Sequence, residues 1–266
     1  VLAAVKNLLK WYQKGLKEMP FTFAHPLYAA PLKLLKPQYI SLTGIILGSM
    51  APDFEYFIAL EPFRRIGHSN EGLFLLAIPL SLLLAFIFHN LIKIPLTDNL
   101  PALFNLDEKA HGIIQEWKLD NIRSWIVFIV SVMIGFYSHV LLDAFTHKSG
   151  LFVTRSTFLQ VYIMGIPIYK FLQHTLSIVG ITLEGVIVLR MLNKYPAISD
   201  YVRVKRRVKT RYWAVVFLGT ITTIALKFIF SSSANIIGIL VVSSISGFFI
   251  GLVISSTLYR MTAPPR

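Results

Sequence analysis

The stretch Ser138-His139-Val140-Leu141-Leu142-Asp143-Ala144-Phe145-Thr146-His147 places an imidazole and a carboxylate four residues apart. On a helix that spacing puts both on one face, one turn from each other. Thr146 and His147 extend the stripe by another turn. The stretch closes an apolar run that begins near Ser124. A His and an Asp at the end of a membrane-length helix must satisfy each other or hold something. Residues of the same chemistry lie upstream: His25, Asp53 and His68. Neutral imidazoles and carboxylates are ligands for zinc or another divalent ion, and catalytic sites of this type keep a position open for water. The ion lowers the pKa of that water to roughly 7 and polarises a phosphoryl or carbonyl oxygen. The set His25, Asp53, His68, His139 and Asp143 suffices for one ion. With Glu55, His147 or water it extends to two ions bridged by a carboxylate. Asp53, His139 and Asp143 are the candidate catalytic groups within it.

Composition narrows the setting. Hydrophobic residues make up 55% of the 266, and only 15% are charged. A soluble domain this apolar lacks the polar surface to cover itself. The apolar residues also come in long blocks, which marks a polytopic membrane protein. There is no cysteine, so disulfides and thiolate metal sites are excluded. The formal charge of +13 is clustered between apolar spans. Positive-inside orientation and anionic lipid headgroups account for it better than nucleic acid does.

The elements that must position these residues follow from the blocks. Residues 1–18 carry Lys6, Lys10, Lys14 and Lys17 among Leu, Val and Trp, a basic amphipathic helix for a membrane surface. Met19-Pro20-Phe21 reads equally well as a start, with 1–18 as an extension. Residues 24–36 and 40–52 read as two short helices broken at Lys36-Pro37. Each is about 20 Å long at 1.5 Å per residue, too short to cross a bilayer comfortably. As an antiparallel hairpin they bring His25 close to Asp53, where Pro52 ends the second helix. Residues 61–71 are a polar link, and the spans are 72–92, 124–145, 171–192, 212–230 and 235–257. The fold class is all-α, a membrane helix bundle with a short N-terminal helical hairpin. It divides into the extension 1–18, a metal-site membrane domain 19–192, a basic loop 193–211 and a C-terminal transmembrane hairpin and tail 212–266.

Orientation comes from the basic loop. Lys194, Arg203, Lys205, Arg206, Arg207, Lys209 and Arg211 face a single acid, Asp200, which places 193–211 in the cytoplasm. Counting spans backward puts 146–170 and 61–71 outside and 93–123 inside. His68, His139 and Asp143 then meet at the outer face, and the hairpin delivers His25 and Asp53 there. The basic N-terminal segment also falls outside in this arrangement, against the charge rule.

Each candidate has a plainer reading. His139 and Asp143 also make sense as a hydrogen-bonded pair closing a helix, and Asp53 as a turn residue after proline. Ser69 reads as an N-cap ahead of the first span or as a substrate contact beside His68. Arg64 and Arg65 read as a phosphate grip or as headgroup anchors. Glu55, Thr146, His147 and His174 read as outer supports of the ligands. Glu184 lies within a span, where an ionisable residue is a functional candidate by default; a hydrogen bond to Thr or Ser on a neighbouring helix is its simpler role. Lys227 is placed to snorkel. His89 pairs locally or snorkels, and His111 is solvated in its loop.

Several motifs carry a resemblance. Met19-Pro20-Phe21-Thr22-Phe23-Ala24-His25-Pro26, Gly48-Ser49-Met50-Ala51-Pro52-Asp53-Phe54-Glu55-Tyr56, His68-Ser69, Ser138-His139 through Thr146-His147 and Gly150, and Gly165-Ile166-Pro167 through Gln173-His174 resemble the DUF4184 family of bacterial membrane proteins. The likeness covers residues 19 to about 190. It implies an integral protein of the bacterial cytoplasmic membrane, and it implies no activity. The pattern His, Pro-Asp, His-Ser and His-x-x-x-Asp also resembles membrane-bound metal-dependent hydrolases of the YdjM-like group and, more distantly, the zinc-dependent phospholipase C fold. That likeness implies metal ligation by His25, Asp53, His68, His139 and Asp143. Gly67-His68-Ser69 stands where the YdjM-like group carries His-Arg-Gly-x-Thr-His-Ser. A ligand or substrate contact of that group is missing here, which counts against a site of two or three metals.

The expected function is a metal-dependent hydrolase, with zinc the expected ion, acting on a phosphoester of a membrane lipid or lipid-linked substrate. A membrane protein with a structural metal or a hydrogen-bonded His/Asp cluster is the alternative from another class, and a transporter built on Glu184 is the third.

Overall fold

A computed structural model describes residues 22–195 and 201–262. The basic segment 1–18, the Met19 start and Asp200 of the basic loop lie outside the described residues. The chain is all-α, and among the described residues five helices are long and apolar enough to cross a membrane. The described residues divide into two compact units: those up to 56, 62–82 and 119–185 belong to the first, and those of 57–61, 83–118 and from 186 onward to the second.

In the first unit the N-terminal hairpin is more broken than expected. Residues 24–36 form only single turns, Pro26–Ala29 and Leu32–Leu35, because Pro31 interrupts them. The second arm is a proper helix, α1 (Leu42–Met50), capped by the Ser41 side chain on the Gly44 N–H at 3.2 Å. A tight turn over Ala51–Asp53 follows, then α2 (Phe54–Ala59).

The first apolar span is longer than its hydropathy block. It runs as α3 (Asn70–Asp98), with wide turns at Leu73–Ala77 and Phe88–Ile92. Each wide turn precedes a proline, Pro79 and Pro95. A proline ring crowds the carbonyl four residues back and donates no N–H, and a local widening relieves both problems. The 93–123 loop therefore starts late, and it holds one short helix, α4 (Leu106–Ile113).

The second span is α5 (Ile122–Thr146), started by a capping box between Asn121 and Ser124. It lies against α1 at backbone contact. A Cβ on Gly48 would sit 2.2 Å from the Val132 carbonyl oxygen, and one on Gly135 would sit 2.4 Å from that of Ile45. Gly44-x-x-x-Gly48 is the small-residue spacing that lets membrane helices approach this closely.

The connection after α5 holds two short helical turns, Leu151–Arg155 and Thr157–Gln160, and a two-stranded ribbon, β1 (Tyr162–Ile163) with β2 (Ile166–Pro167). α6 (Ile168–Lys194) follows.

In the second unit α7 (Arg206–Phe230) packs on α8 (Ile236–Thr262), with Gly251 against the Val216 backbone. Residues 206–211 belong to the first turns of α7, so much of the basic loop is helical. Two of its cations pair with buried carboxylates. Lys209 reaches the buried Asp107 carboxylate at 2.5 Å, and Arg203 lies 3.2 Å from Glu108. His111 is not simply solvated, since its Nδ1 sits 3.3 Å from Asp98. His89 stacks on Trp117 with ring centroids 4.4 Å apart. Lys227 donates to Glu61 at 2.8 Å and to the Ala59 carbonyl at 2.9 Å, where a snorkelling cation was expected.

Candidate metal centre

The five expected ligands come together in the first unit. His25 stands at the entrance to the turn Pro26–Ala29, Asp53 ends the turn after Pro52, and His68 precedes α3. His139 and Asp143 share a face of α5, as their spacing requires. Asp53 and His139 are fully buried, and His25, His68 and Asp143 nearly so.

The nitrogens and oxygens meet at a consistent spacing. His68 Nε2 lies 3.5 Å from Asp53 Oδ1 and 3.3 Å from Asp143 Oδ2. His139 Nε2 lies 3.8 Å from Asp53 Oδ2 and 3.4 Å from Asp143 Oδ2. His25 Nε2 lies 3.6 Å from Asp143 Oδ1. A charge-assisted hydrogen bond would close to about 2.7–2.9 Å. Ligands held about 2.0–2.2 Å from a zinc ion at tetrahedral angles stand roughly 3.3–3.6 Å apart. The spacing therefore fits the edges of a coordination shell better than a set of hydrogen bonds. Asp53 Oδ1, Asp143 Oδ1 and His139 Nε2 are buried without a well-formed hydrogen bond, and each faces this cluster. Orphaned buried polar atoms are costly, and a cation bound within the cluster would give them a use.

The surrounding groups orient the ligands. His139 Nδ1 donates to the Ser49 carbonyl at 2.7 Å, and His25 Nδ1 to that of Thr22 at 3.2 Å. Both rings then present an Nε2 lone pair inward, the usual arrangement of a metal-binding imidazole. The Thr22 hydroxyl donates to Asp53 Oδ2 at 2.6 Å and holds that carboxylate. Burial is the main cause that pushes His25 and His68 below the ordinary imidazole pKa, the direction that favours the neutral, metal-binding form.

Glu55 acts one step away. It accepts from the backbone N–H groups of Arg65, Ile66 and Gly67 at 2.8, 2.9 and 2.9 Å, fixing the loop that presents His68. Burial opposes its charge, but the three N–H donors outweigh burial and hold the carboxyl below its usual range. Glu55 is thus occupied and not a ligand. Ser69 caps α3 through the Gly72 N–H at 3.1 Å and donates to the Ile66 carbonyl at 2.7 Å. Arg64 and Arg65 are exposed, and the Arg64 charge is felt at His68.

His147 Nδ1 lies 3.2 Å from Asp143 Oδ1 and 3.2 Å from the Thr146 hydroxyl, whose proton goes to the Leu142 carbonyl. His174 is exposed and takes no part in the cluster. Its neighbour Gln173 is buried instead, with Nε2 3.3 Å from His147 Nε2. Thr22, Ser49 and Gln173 are the residues that sequence reasoning missed. Ser49 and Thr22 lie inside quoted motifs, but nothing in their type announced a supporting role. Glu184 Oε1 is buried with no hydrogen-bond partner among the described residues.

No curated protein and no solved structure matches the chain. Residues 19–257, which include all five converging side chains, match the family described as "Domain of unknown function (DUF4184)". With nearly the whole sequence covered, the chain belongs to the DUF4184 family.

Proposed function

We propose that this protein is a membrane-embedded, metal-dependent hydrolase that cleaves a phosphoester in a lipid or lipid-linked substrate. The observation that carries the reading is the spacing of 3.3 to 3.8 Å between imidazole nitrogens and carboxylate oxygens of five residues from four separate parts of the chain. With nitrogen and oxygen donors and no thiolate, zinc suits the set. The bound ion supplies Lewis acidity and a water of lowered pKa, roughly 7.

The chain's own residues do the rest. Asp53 and Asp143 offset the ionic charge in a buried setting. His139, pinned by Ser49, and His25, pinned by Thr22, keep their lone pairs aimed inward. The cluster reaches the surface beside His68, next to the exposed Arg64 and Arg65. Guanidinium groups match phosphate oxygens in pairs, so a phosphoester is the substrate class that this edge favours. The likeness of the His, Pro-Asp, His-Ser and His-x-x-x-Asp pattern to YdjM-like hydrolases and, distantly, to zinc-dependent phospholipase C supports the same chemistry. Near-complete burial of the cluster favours a second reading, a structural metal without turnover.

Release of phosphate or a phosphorylated headgroup from lipid phosphoesters in mixed micelles separates the two. We expect turnover that a chelator abolishes, that zinc restores and that Asp53→Asn reduces by more than about 100-fold, beyond the loss typical of an outer partner. Full metal occupancy with no turnover on any phosphoester leaves the structural reading.

We place the site on the outer face of a bacterial cytoplasmic membrane, from the basic run at 193–211. The chain has no cysteine, so single cysteines report topology cleanly. An impermeant thiol reagent applied to whole cells is expected to label Lys148→Cys and spare Lys205→Cys. The opposite pattern would move the site to the cytoplasmic face.

A further inference from the structure

We infer that the centre takes two ions, bridged by the carboxylate of Asp143; this rests on the metal-binding reading above. The two oxygens of Asp143 serve different imidazoles. Oδ1 faces His25 Nε2 at 3.6 Å and His147 Nδ1 at 3.2 Å, while Oδ2 faces His68 Nε2 at 3.3 Å and His139 Nε2 at 3.4 Å.

The rings of His25 and His139 are stacked, with centroids 3.8 Å apart and planes 16° from parallel. An imidazole binds a metal along its lone pair, in the plane of the ring. Two planes so nearly parallel meet well beyond the roughly 2.0–2.1 Å reach of an imidazole–zinc bond. One ion therefore cannot lie in both ring planes at bonding distance. Two ions can, separated by about the ring spacing, and about 3.5–4 Å is the separation in two-metal sites. A carboxylate giving one oxygen to each ion spans that gap.

Ligand supply divides accordingly. Among the described residues two triads are close enough to bind a metal, His25 with His139 and Asp143, and Asp53 with His68 and His139. His139 belongs to both, but its Nδ1 is committed to Ser49, so its Nε2 serves one ion only. That ion is the one between His68, His139, Asp53 and Asp143 Oδ2. The other ion has His25 and Asp143 Oδ1, with His147 alongside. It has the fewer protein ligands, and so it is the weaker-bound ion and the one with more positions left for water.

Metal-free protein reloaded with zinc, then cleared of excess, tests this by elemental analysis. Two ions per chain are expected in the wild type and one in His25→Ala. Manganese loading adds a spectroscopic readout: an exchange-coupled paramagnetic resonance signal in the wild type, an isolated-ion signal in His25→Ala. If His25→Ala does not fold, the wild-type manganese signal decides alone. One ion per chain in the wild type, or an unchanged count in His25→Ala, overturns the two-ion inference and leaves the hydrolase reading intact. No bound metal under any loading takes both down.

Discussion

Asp143→Asn should leave the purified protein folded and stripped of metal. The side chain is the hub of the cluster, within 3.6 Å of His25, His68, His139 and His147. Asparagine keeps its shape but removes the charge that attracts a cation. A local hydrogen-bonded pair would tolerate the change, since an amide oxygen still accepts from one imidazole. A metal centre would not, and the loss in affinity should exceed the roughly 10–100-fold typical of an outer partner. The readout is thermal unfolding in detergent with and without zinc. A ligand present at 100 times its dissociation constant stabilises by about 2.7 kcal/mol, so the wild type should melt higher with zinc. The variant should show no such shift. Ligands work as a unit, so the double variant His139→Ala/Asp143→Asn should bind metal little worse than either single one. Full zinc retention in Asp143→Asn would leave the hydrogen-bonded reading standing and end the hydrolase proposal.

Gly48→Leu should unfold the first unit or empty its centre. Ordinary helix propensity points the other way, because replacing an interior glycine normally stabilises a helix by up to about 1 kcal/mol. Packing decides the sign here. The new Cβ would stand 2.2 Å from the Val132 oxygen and 2.6 Å from its Cα, and both are backbone atoms of α5 that cannot rotate aside. The helices must separate. Ser49, the next residue, then loses its 2.7 Å bond to His139, and the imidazole loses its orientation. Overpacking of this kind costs about 1–3 kcal/mol or more. Gly185→Ala is the internal control, because nothing lies within 4 Å of a Cβ there. We expect it to melt at or slightly above the wild type, while Gly48→Leu melts lower and holds less metal. Equal melting of all three proteins would mean that α1 and α5 do not approach as described.

How far the sequence could be read differs between features, for physical reasons. Helix positions were legible because a membrane demands about 20 apolar residues per span, and blocks of that length stand out. Helix ends were not, since polar turns continue past the apolar block. The basic residues 206–211 begin α7, and α3 continues through Pro79 and Pro95 to Asp98 because wide turns absorb the prolines. The close approach of α1 and α5 was readable in Gly44-x-x-x-Gly48, and that spacing went unused. Gln173 and His174 show the limit of reasoning from residue type. Neighbours on a helix point about 100° apart, at 3.6 residues per turn, so only one can face the site, and the helix turns the amide inward.

The sequence by itself determined the donor chemistry and the class of fold. With no cysteine, a metal here takes nitrogen and oxygen, and the apolar blocks require membrane helices. It also determined that His139 and Asp143 share a face, because a helix has only one pitch. Only the tertiary structure decided which distant residues meet them. His25, Asp53 and His68 arrive from separate turns and loops, and their distances depend on backbone contact between α1 and α5 and on the loop that Glu55 gathers. The stacking of His25 on His139 and the division of the two Asp143 oxygens arise from that packing, because local periodicity aligns residues within one element and carries no information about the angle at which another element reaches it.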